Sequence, residues 1–144
     1  MTSLPKPCVV DASVGIRLFL PEEHAEQVQK LFESALDDPT DTIFVPDLFF
    51  IECANVLWKK VRRGEYSQDM ARQNLADLRA LGLPTTPTSE LMARALEIAC
   101  EHGVTAYDAC YVALAEMKEA PLLTADSRLR DALTGAFDVT LLGE

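Results

Sequence analysis

Short apolar runs alternate with longer amphipathic stretches along the whole chain. The run "PCVV" at residues 7–10 is apolar throughout and ends in Asp11, the pattern of a buried strand followed by a turn or helix start. A helix is predicted from Ala12 to about Leu20. Pro21, with Glu22 and Glu23 behind it, reads as the first turn of a second helix reaching about Leu36. "DDPTD" is a loop, "TIFVP" a second strand, and Asp47 opens a long helix through Arg63. Gly64 stops that helix, Ser67 caps the next one to about Leu81, and Gly82 ends it. "LPTTP" is an extended piece placed for a third strand. Thr88 or Ser89 caps a helix to about Glu101, and Thr105 opens another. "APLLTAD" is a further strand ending at Asp126, which caps a short helix to about Leu133, and "FDVTLL" is the last strand. Strands alternating with helices predict a single α/β domain over residues 1–144, with a mostly parallel sheet covered on both faces.

Composition agrees with that picture and narrows it. With 49% hydrophobic and 25% charged residues, the chain has the profile of a globular protein, not a disordered one. Its formal net charge of −10 repels bare nucleic acid over most of the surface, so any nucleic-acid role needs a local basic patch, bound cations, or both. Cys8, Cys53, Cys100 and Cys110 show no C-x-x-C spacing, and Cys100 with His102 matches no zinc pattern. All four are expected to be small buried core thiols in a reducing compartment. The start "MTSLPKP" has one lysine and no apolar h-region behind it, so no signal peptide is expected. The most apolar segment, "TIFVPDLFFIECANVLW", is broken by Pro46, Asp47 and Glu52 and cannot span a bilayer. A cytoplasmic protein is expected.

The chemistry lies in the acids. Asp108 interrupts the otherwise apolar "YDACYVALA", and a buried carboxylate is costly without compensation. Asp11 and Asp126 both end strands, and the carboxyl ends of parallel strands line the ligand crevice of such folds. Glu52 shares its helix face with Leu48, Phe49, Asn55 and Val56, so it stands on a largely apolar surface. Each acid also has a local explanation. Asp11 and Asp126 suit helix N-caps, Asp108 suits the third position of a capping box opened by Thr105, and Glu52 suits a partly solvated helix edge. Four together are harder to explain that way. Clustered carboxylates raise one another's pKa and cost stability unless cations neutralise them. Hard oxygen ligands without histidine or thiol partners point to Mg²⁺ or Mn²⁺.

Four blocks, "VVDASV…FLPEE", "IECANVLWK", "TAYDACYVALA" and "LLTADSRL", resemble those of the PIN-domain family, and most of all its VapC-type ribonuclease toxins from toxin–antitoxin pairs. The resemblance runs from residue 8 to residue 142 with the blocks in the family's order. It implies a PIN-like three-layer α/β sandwich and Mg²⁺- or Mn²⁺-dependent RNA cleavage. Asp11, Glu52, Asp108 and Asp126 fall on the family's acidic positions. Ser13 and Thr124 fall on its accessory hydroxyl positions, and Asn55 on the polar position one turn after the glutamate. Asp11 and Asp108 are expected to be direct metal ligands, with Asp126 direct or through water. Glu52 is expected to orient or deprotonate the attacking water, and Ser13 and Thr124 to hold carboxylates in place. Attack by metal-generated hydroxide leaves a 5′-phosphate. Whether one ion or two bind stays open. The resemblance also implies a homodimer silenced by a cognate antitoxin.

Other classes fit less well. A phosphoacceptor receiver domain needs paired acids after its first strand, and a haloacid-dehalogenase-type phosphatase needs D-x-D there, whereas this chain has "DAS". A histidine acid–base ribonuclease has only His24, amid "EEHAE", and His102, in a helix-ending "EHG". A PIN nuclease that is not a toxin, and a metal-free binding module whose acids are only caps, stay open. The strongest basic cluster is "WKKVRRG". Lys59, Lys60, Arg62 and Arg63 suit a helix C-terminus and, equally, phosphate contact with RNA. Tyr107 and Tyr111 are expected in the core or crevice wall, and Trp58 in the core or an interface. Phe49 and Phe50 are adjacent on a helix and cannot both face one core direction.

Overall fold

In the computed structural model, which describes residues 4–144, five strands form a parallel sheet. They are β1 (Cys8–Val10), β2 (Ile43–Pro46), β3 (Thr85–Thr86), β4 (Leu122–Thr124) and β5 (Val139–Leu141), hydrogen-bonded in the order β3-β2-β1-β4-β5. Cys8 pairs with Ile43, Val9 with Leu122 and Leu122 with Val139. Every residue of β1 and β4 is buried, which is why their sequences, CVV and LLT, do not alternate apolar with polar. The chain builds outward from β1 through β2 to β3, then crosses back to place β4 on the other side of β1. The sheet therefore reverses direction between β1 and β4, and the crevice beyond their carboxyl ends is where such folds bind ligands.

Seven helices pack on this sheet among the described residues: α1 (Ala12–Gly15), α2 (Ala25–Asp37), α3 (Leu48–Arg62), α4 (Gln68–Ala80), α5 (Met92–His102), α6 (Ala106–Lys118) and α7 (Ser127–Leu133). The fold is the α/β three-layer arrangement expected. Helix α6 is central: Ala109 through Ala115 are all buried, because the helix lies between the sheet, touching β1, β2 and β4, and α5 outside it. Helix α3 instead buries one stripe, Phe49, Cys53 and Leu57, at four-residue spacing against α1 and β2. Burying Phe49 completely contributes roughly 2–3 kcal/mol. Phe50 turns partly outward and meets the Phe49 ring edge-on at 5.4 Å.

The helix expected over 12–20 is shorter than its pattern. Four α-helical residues tighten into a 3₁₀ turn at Ile16–Leu18. Leu20 precedes Pro21, a position that disfavours helical backbone, so the helix cannot run on into the next. The second helix starts at Ala25, not Pro21, because Glu22 and Glu23 are drawn elsewhere. Arg17 lies 3.6 Å from the Glu22 carboxylate and donates to the Glu23 carbonyl at 2.9 Å. The chain then turns through His24 in left-handed backbone (φ 65°). Thr88 and Ser89 cap no α-helix. They form a 3₁₀ turn, and α5 begins at Met92. The Thr88 N–H is instead satisfied by the Asp47 side chain at 2.9 Å, which ties the end of β3 to the start of α3. Ser67 caps α4 as expected, accepting from the Met70 N–H at 3.3 Å.

Candidate active site

Asp11 follows β1 at the point where the sheet reverses, and it is only 6% exposed. Its Oδ1 accepts from the Val14 N–H at 3.2 Å, so it does cap α1. It does more. Ser13 Oγ donates to Oδ1 and Thr124 Oγ1 donates to Oδ2, each at 2.5 Å. Both hydroxyls are held in turn, Ser13 accepting from the Ala125 N–H at 2.9 Å and Thr124 from the Asp126 N–H at 3.1 Å. This explains a fully buried threonine at the end of β4, and it locks Asp11 to the turn that carries Asp126. A carboxylate has about four lone-pair sites, so these three donors leave one on Oδ2 for anything else.

Asp126 caps α7, with Oδ1 accepting from the Arg128 and Leu129 N–H groups at 3.0 and 3.3 Å. Asp108 sits in the first turn of α6, its N–H donating to Thr105 Oγ1 at 3.1 Å. The capping explanations thus hold for the backbone, and they leave carboxylate oxygens unused. Glu52 projects from α3 half-buried, and its Oε1 accepts from the Tyr111 hydroxyl at 2.5 Å.

Electrostatics bring the four together. Burial raises the Asp11 pKa to about 6, against the lowering effect of its three donors, and the Asp108 charge raises it further. The Glu52 pKa is raised by burial, with Asp108 adding to it and the Tyr111 bond opposing it. The Asp108 pKa is raised by burial and then by Asp126. Asp108 is therefore the hub, close enough to perturb or be perturbed by each of the other three. Among the described residues, no lysine, arginine or histidine forms an ion pair with any of them. The donor set suits a hard divalent cation: all oxygen, largely anionic, and mutually repelling. As the side chains are arranged, no three of the described His, Cys, Asp and Glu residues stand close enough to enclose an ion.

The remaining expected residues scatter. Asn55 is exposed on a groove of about 610 Å³ along α3, which it lines with Ala12, Glu52, Trp58, Lys59 and Tyr107. It forms no part of the hydrogen-bonded network around Asp11. Lys59 alone of the basic cluster lines that groove. Lys60 turns to Glu22 and Glu65 at 3.9 and 3.8 Å, Arg62 lies over the Trp58 ring at 5.5 Å, and Arg63 is exposed at the helix end.

Of its two expected places Tyr107 takes the crevice wall, 62% exposed at the groove edge. Trp58 is 52% exposed, which excludes the core half of its expectation, because the α3 stripe at Phe49, Cys53 and Leu57 points it away. One expectation needs correction. Cys100 is exposed on the outer face of α5, four and eight residues from the exposed Leu96 and Met92, while Cys8, Cys53 and Cys110 are buried. Conversely, the contact of Tyr111 with Glu52 went unread, although its position three residues after Asp108 places both on one face of α6.

The profile of the PIN domain matches residues 8–132, and the chain belongs to that family. Its sequence kin include Ribonuclease VapC3 of Pyrobaculum aerophilum, 39% identical over 125 residues that make up 85% of this chain and 92% of that protein. The crystal structure of PAE2754 from the same organism superposes with a TM-score of 0.66 at 25% identity, covering 92% of this chain and 81% of the other. A chain of a toxin–antitoxin complex from Klebsiella pneumoniae shares the fold, with a TM-score of 0.63 at 17% identity over 95% of this chain and 98% of that one.

Proposed function

We propose that the protein is a Mg²⁺- or Mn²⁺-dependent endoribonuclease of the VapC type, held inactive by a cognate antitoxin. One observation carries this reading. Asp11, Glu52, Asp108 and Asp126 influence one another electrostatically through Asp108, three of them with raised pKa values and none paired with a cation among the described residues. Each of the three raised carboxyls is disfavoured as an anion first by burial and then by a neighbouring acid, and a divalent ion would relieve both. Asp11 and Asp108 would hold the ion directly, and Asp126 directly or through water. When bound, the ion acidifies a water for attack on phosphorus and neutralises charge developing on the phosphate.

The chain's own part is placement and proton handling. Ser13 and Thr124 fix the Asp11 carboxylate, and Thr124 links it to the backbone of Asp126. Glu52, with its pKa raised by burial, is poised to take a proton from the attacking water nearer neutral pH than an ordinary glutamate. Lys59, beside Glu52 in the groove, with Lys60, Arg62 and Arg63 behind it, would meet RNA phosphates on an otherwise acidic surface. The 39% identity to a protein named as a ribonuclease supports RNA as substrate, and likeness to a chain of a toxin–antitoxin complex supports the partner. A net charge of −10 suits a basic antitoxin segment, and the family expectation is a homodimer. No helix is long and apolar enough to cross a membrane among the described residues.

The test uses purified, partner-free protein on a mixed pool of structured cellular RNAs, with Mn²⁺, with chelator, and with Asp11→Asn in parallel. Discrete metal-dependent cuts bearing 5′-phosphates, absent in the variant, are expected. Folded wild-type protein that cuts nothing in Mn²⁺ would overturn the catalytic reading.

A further inference from the structure

Tyr111 is 1% exposed, among the largest fully buried side chains of the protein, yet its hydroxyl is not spent on the backbone. It donates to Glu52 Oε1 at 2.5 Å, a contact from α6 to α3 between residues 59 positions apart in sequence. A buried tyrosine needs a partner for its O–H, and here that partner is a half-buried carboxylate at the edge of the acidic cleft. Glutamate has three side-chain torsions and considerable rotamer freedom to lose. Glu52 Oε1 is gripped from below by a rigid aromatic lever, while Oε2 has no partner of its own among the described hydrogen bonds. The same helix face presents Asp108 one turn earlier, so α6 supplies one carboxylate of the cleft and sets the orientation of another. Burial and the neighbouring carboxylates push the phenol pKa well up, so the hydroxyl stays a donor.

We propose that Tyr111 is a positioning residue for Glu52, fixing one carboxylate oxygen so that the other is presented to the acidic cleft. Without the hydroxyl, Glu52 keeps its charge but samples orientations that turn it away from the cleft. The inference rests on the reading that Glu52 serves RNA cleavage, and the experiment separates the two.

Cleavage of one RNA substrate is measured for wild type, Tyr111→Phe, Glu52→Gln and the double variant, together with Mn²⁺ affinity by calorimetry and thermal unfolding in chelator. Tyr111→Phe keeps the ring and removes only the hydroxyl. The expected result is a fall in kcat of about ten- to a hundredfold with KM within about twofold of wild type, the range for a partner that orients a site ligand. Mn²⁺ affinity weakens in the same direction. The double variant is no slower than Glu52→Gln alone, because the tyrosine acts only through the glutamate. A purely structural tyrosine gives losses that multiply instead, and that result overturns the proposal, as does a Tyr111→Phe protein with wild-type kcat and Mn²⁺ affinity. Glu52→Asp supplies an arm that leaves the core untouched: a carboxylate too short to keep the tyrosine bond should lose kcat as Tyr111→Phe does, and full retention also overturns the proposal. If Glu52→Gln itself cleaves at the wild-type rate, it is the catalytic reading of Glu52 that fails.

Discussion

Two clusters of carboxylates in this protein meet opposite fates. On the outer surface of α5 and α6, Glu97 and Glu116 converge on Arg94, whose guanidinium grips Glu116 through two parallel bonds of 2.7 and 3.0 Å. The Glu116 pKa is lowered accordingly, by the Arg94 hydrogen bond first. In the cleft at the ends of β1 and β4, the carboxylates have hydroxyls and backbone N–H groups for company but no lysine, arginine or histidine paired with them among the described residues, and the pKa values of Asp11, Glu52 and Asp108 are raised. Hydrogen-bond donors can orient a buried carboxylate without neutralising it. The surface cluster is neutralised by its own arginine, whereas on the proposed reading a divalent ion would do the same for the cleft.

The largest effect should come from the residue in the driest position. Asp11→Asn preserves an acceptor for the Val14 N–H, and the two hydroxyls can rotate to meet the amide, so the fold should survive. Cleavage should fall by on the order of a thousandfold or more, since on the proposed reading several kcal/mol of charge stabilisation would depend on this carboxylate. Stability in chelator should move the other way. Folded Asp11 holds its proton up to a pH of about 6, whereas the unfolded chain releases it near 3.8. Between those values the native state binds more protons than the unfolded one, so stability falls as pH rises through the window, by about 3 kcal/mol in all. Glu52 and Asp108, also raised, add to the same slope. Urea unfolding of wild type and Asp11→Asn from pH 4 to pH 7 reads the difference directly. The variant should gain on wild type as pH rises, and a gap that stays constant with pH would mean the cleft is not strained by charge.

A divalent ion should cancel that gap from the other side. At a hundredfold excess over its dissociation constant, Mn²⁺ stabilises the native state by about 2.7 kcal/mol, a rise of a few degrees in melting temperature for a chain of this size. Asp108→Asn, which removes the hub of the cluster, should lose most of that rise while melting no lower than wild type in chelator. An undiminished Mn²⁺ shift in the variant would place the ion elsewhere.

How much of this contrast the chain reveals before folding depends on the range of the interactions. Asp11 and Asp126 were legible because each ends a short, largely apolar run that does not alternate, the usual form of a strand buried on both faces. Thr105 and Ser67 announced their helices because capping is a three-residue matter. Long-range contacts were not legible. The 3₁₀ tightening after Gly15 accompanies a glycine that Phe49 crowds so closely that an added Cβ would lie 2.5 Å from its ring. The false start of α2 reflects the claim of Arg17 on Glu22 and Glu23. Cys100 read as core, and Trp58 as core or interface, because apolar sequence does not say which helix face will be covered. Tyr111 read as core and is core; its hydroxyl's partner lay on another helix, where no local pattern reaches. The acids of the cleft were readable one at a time, and Asp108 as the hub among them was not.

The basic end of α3 offers a gentler probe of the same cleft. Replacing Lys59 and Arg62 with alanine should weaken RNA binding mildly and reduce its salt dependence by up to about one unit of slope per lost phosphate contact. Metal-dependent stabilisation should be unchanged, because neither side chain is paired with the four acids. Equal salt slopes for variant and wild type would return these residues to the role of favourable helix-end charges.

The smallest effect should come from the cluster that looks strongest on paper. Arg94→Ala deletes the fork to Glu116, the contact with Glu97 and a cation lying 6.0 Å over the Phe137 ring. Both acids are solvated, so water takes over where the guanidinium leaves, and exposed pairs contribute little. Melting temperature should drop only slightly, less so at high salt, and cleavage and its metal dependence should not change. The pH signature should also invert relative to the cleft. Glu116, its pKa lowered in the folded state, contributes stability above its ordinary pKa of 4.5 that is lost as pH falls, and Arg94→Ala should erase that small term. Two clusters of carboxylates would then respond with opposite signs and very different sizes, and the differences between them are burial and the arginine. Should Arg94→Ala destabilise the protein as much as Asp11→Asn stabilises it, charge count and not desolvation would be the governing quantity, and the cleft would lose its claim to be the strained site.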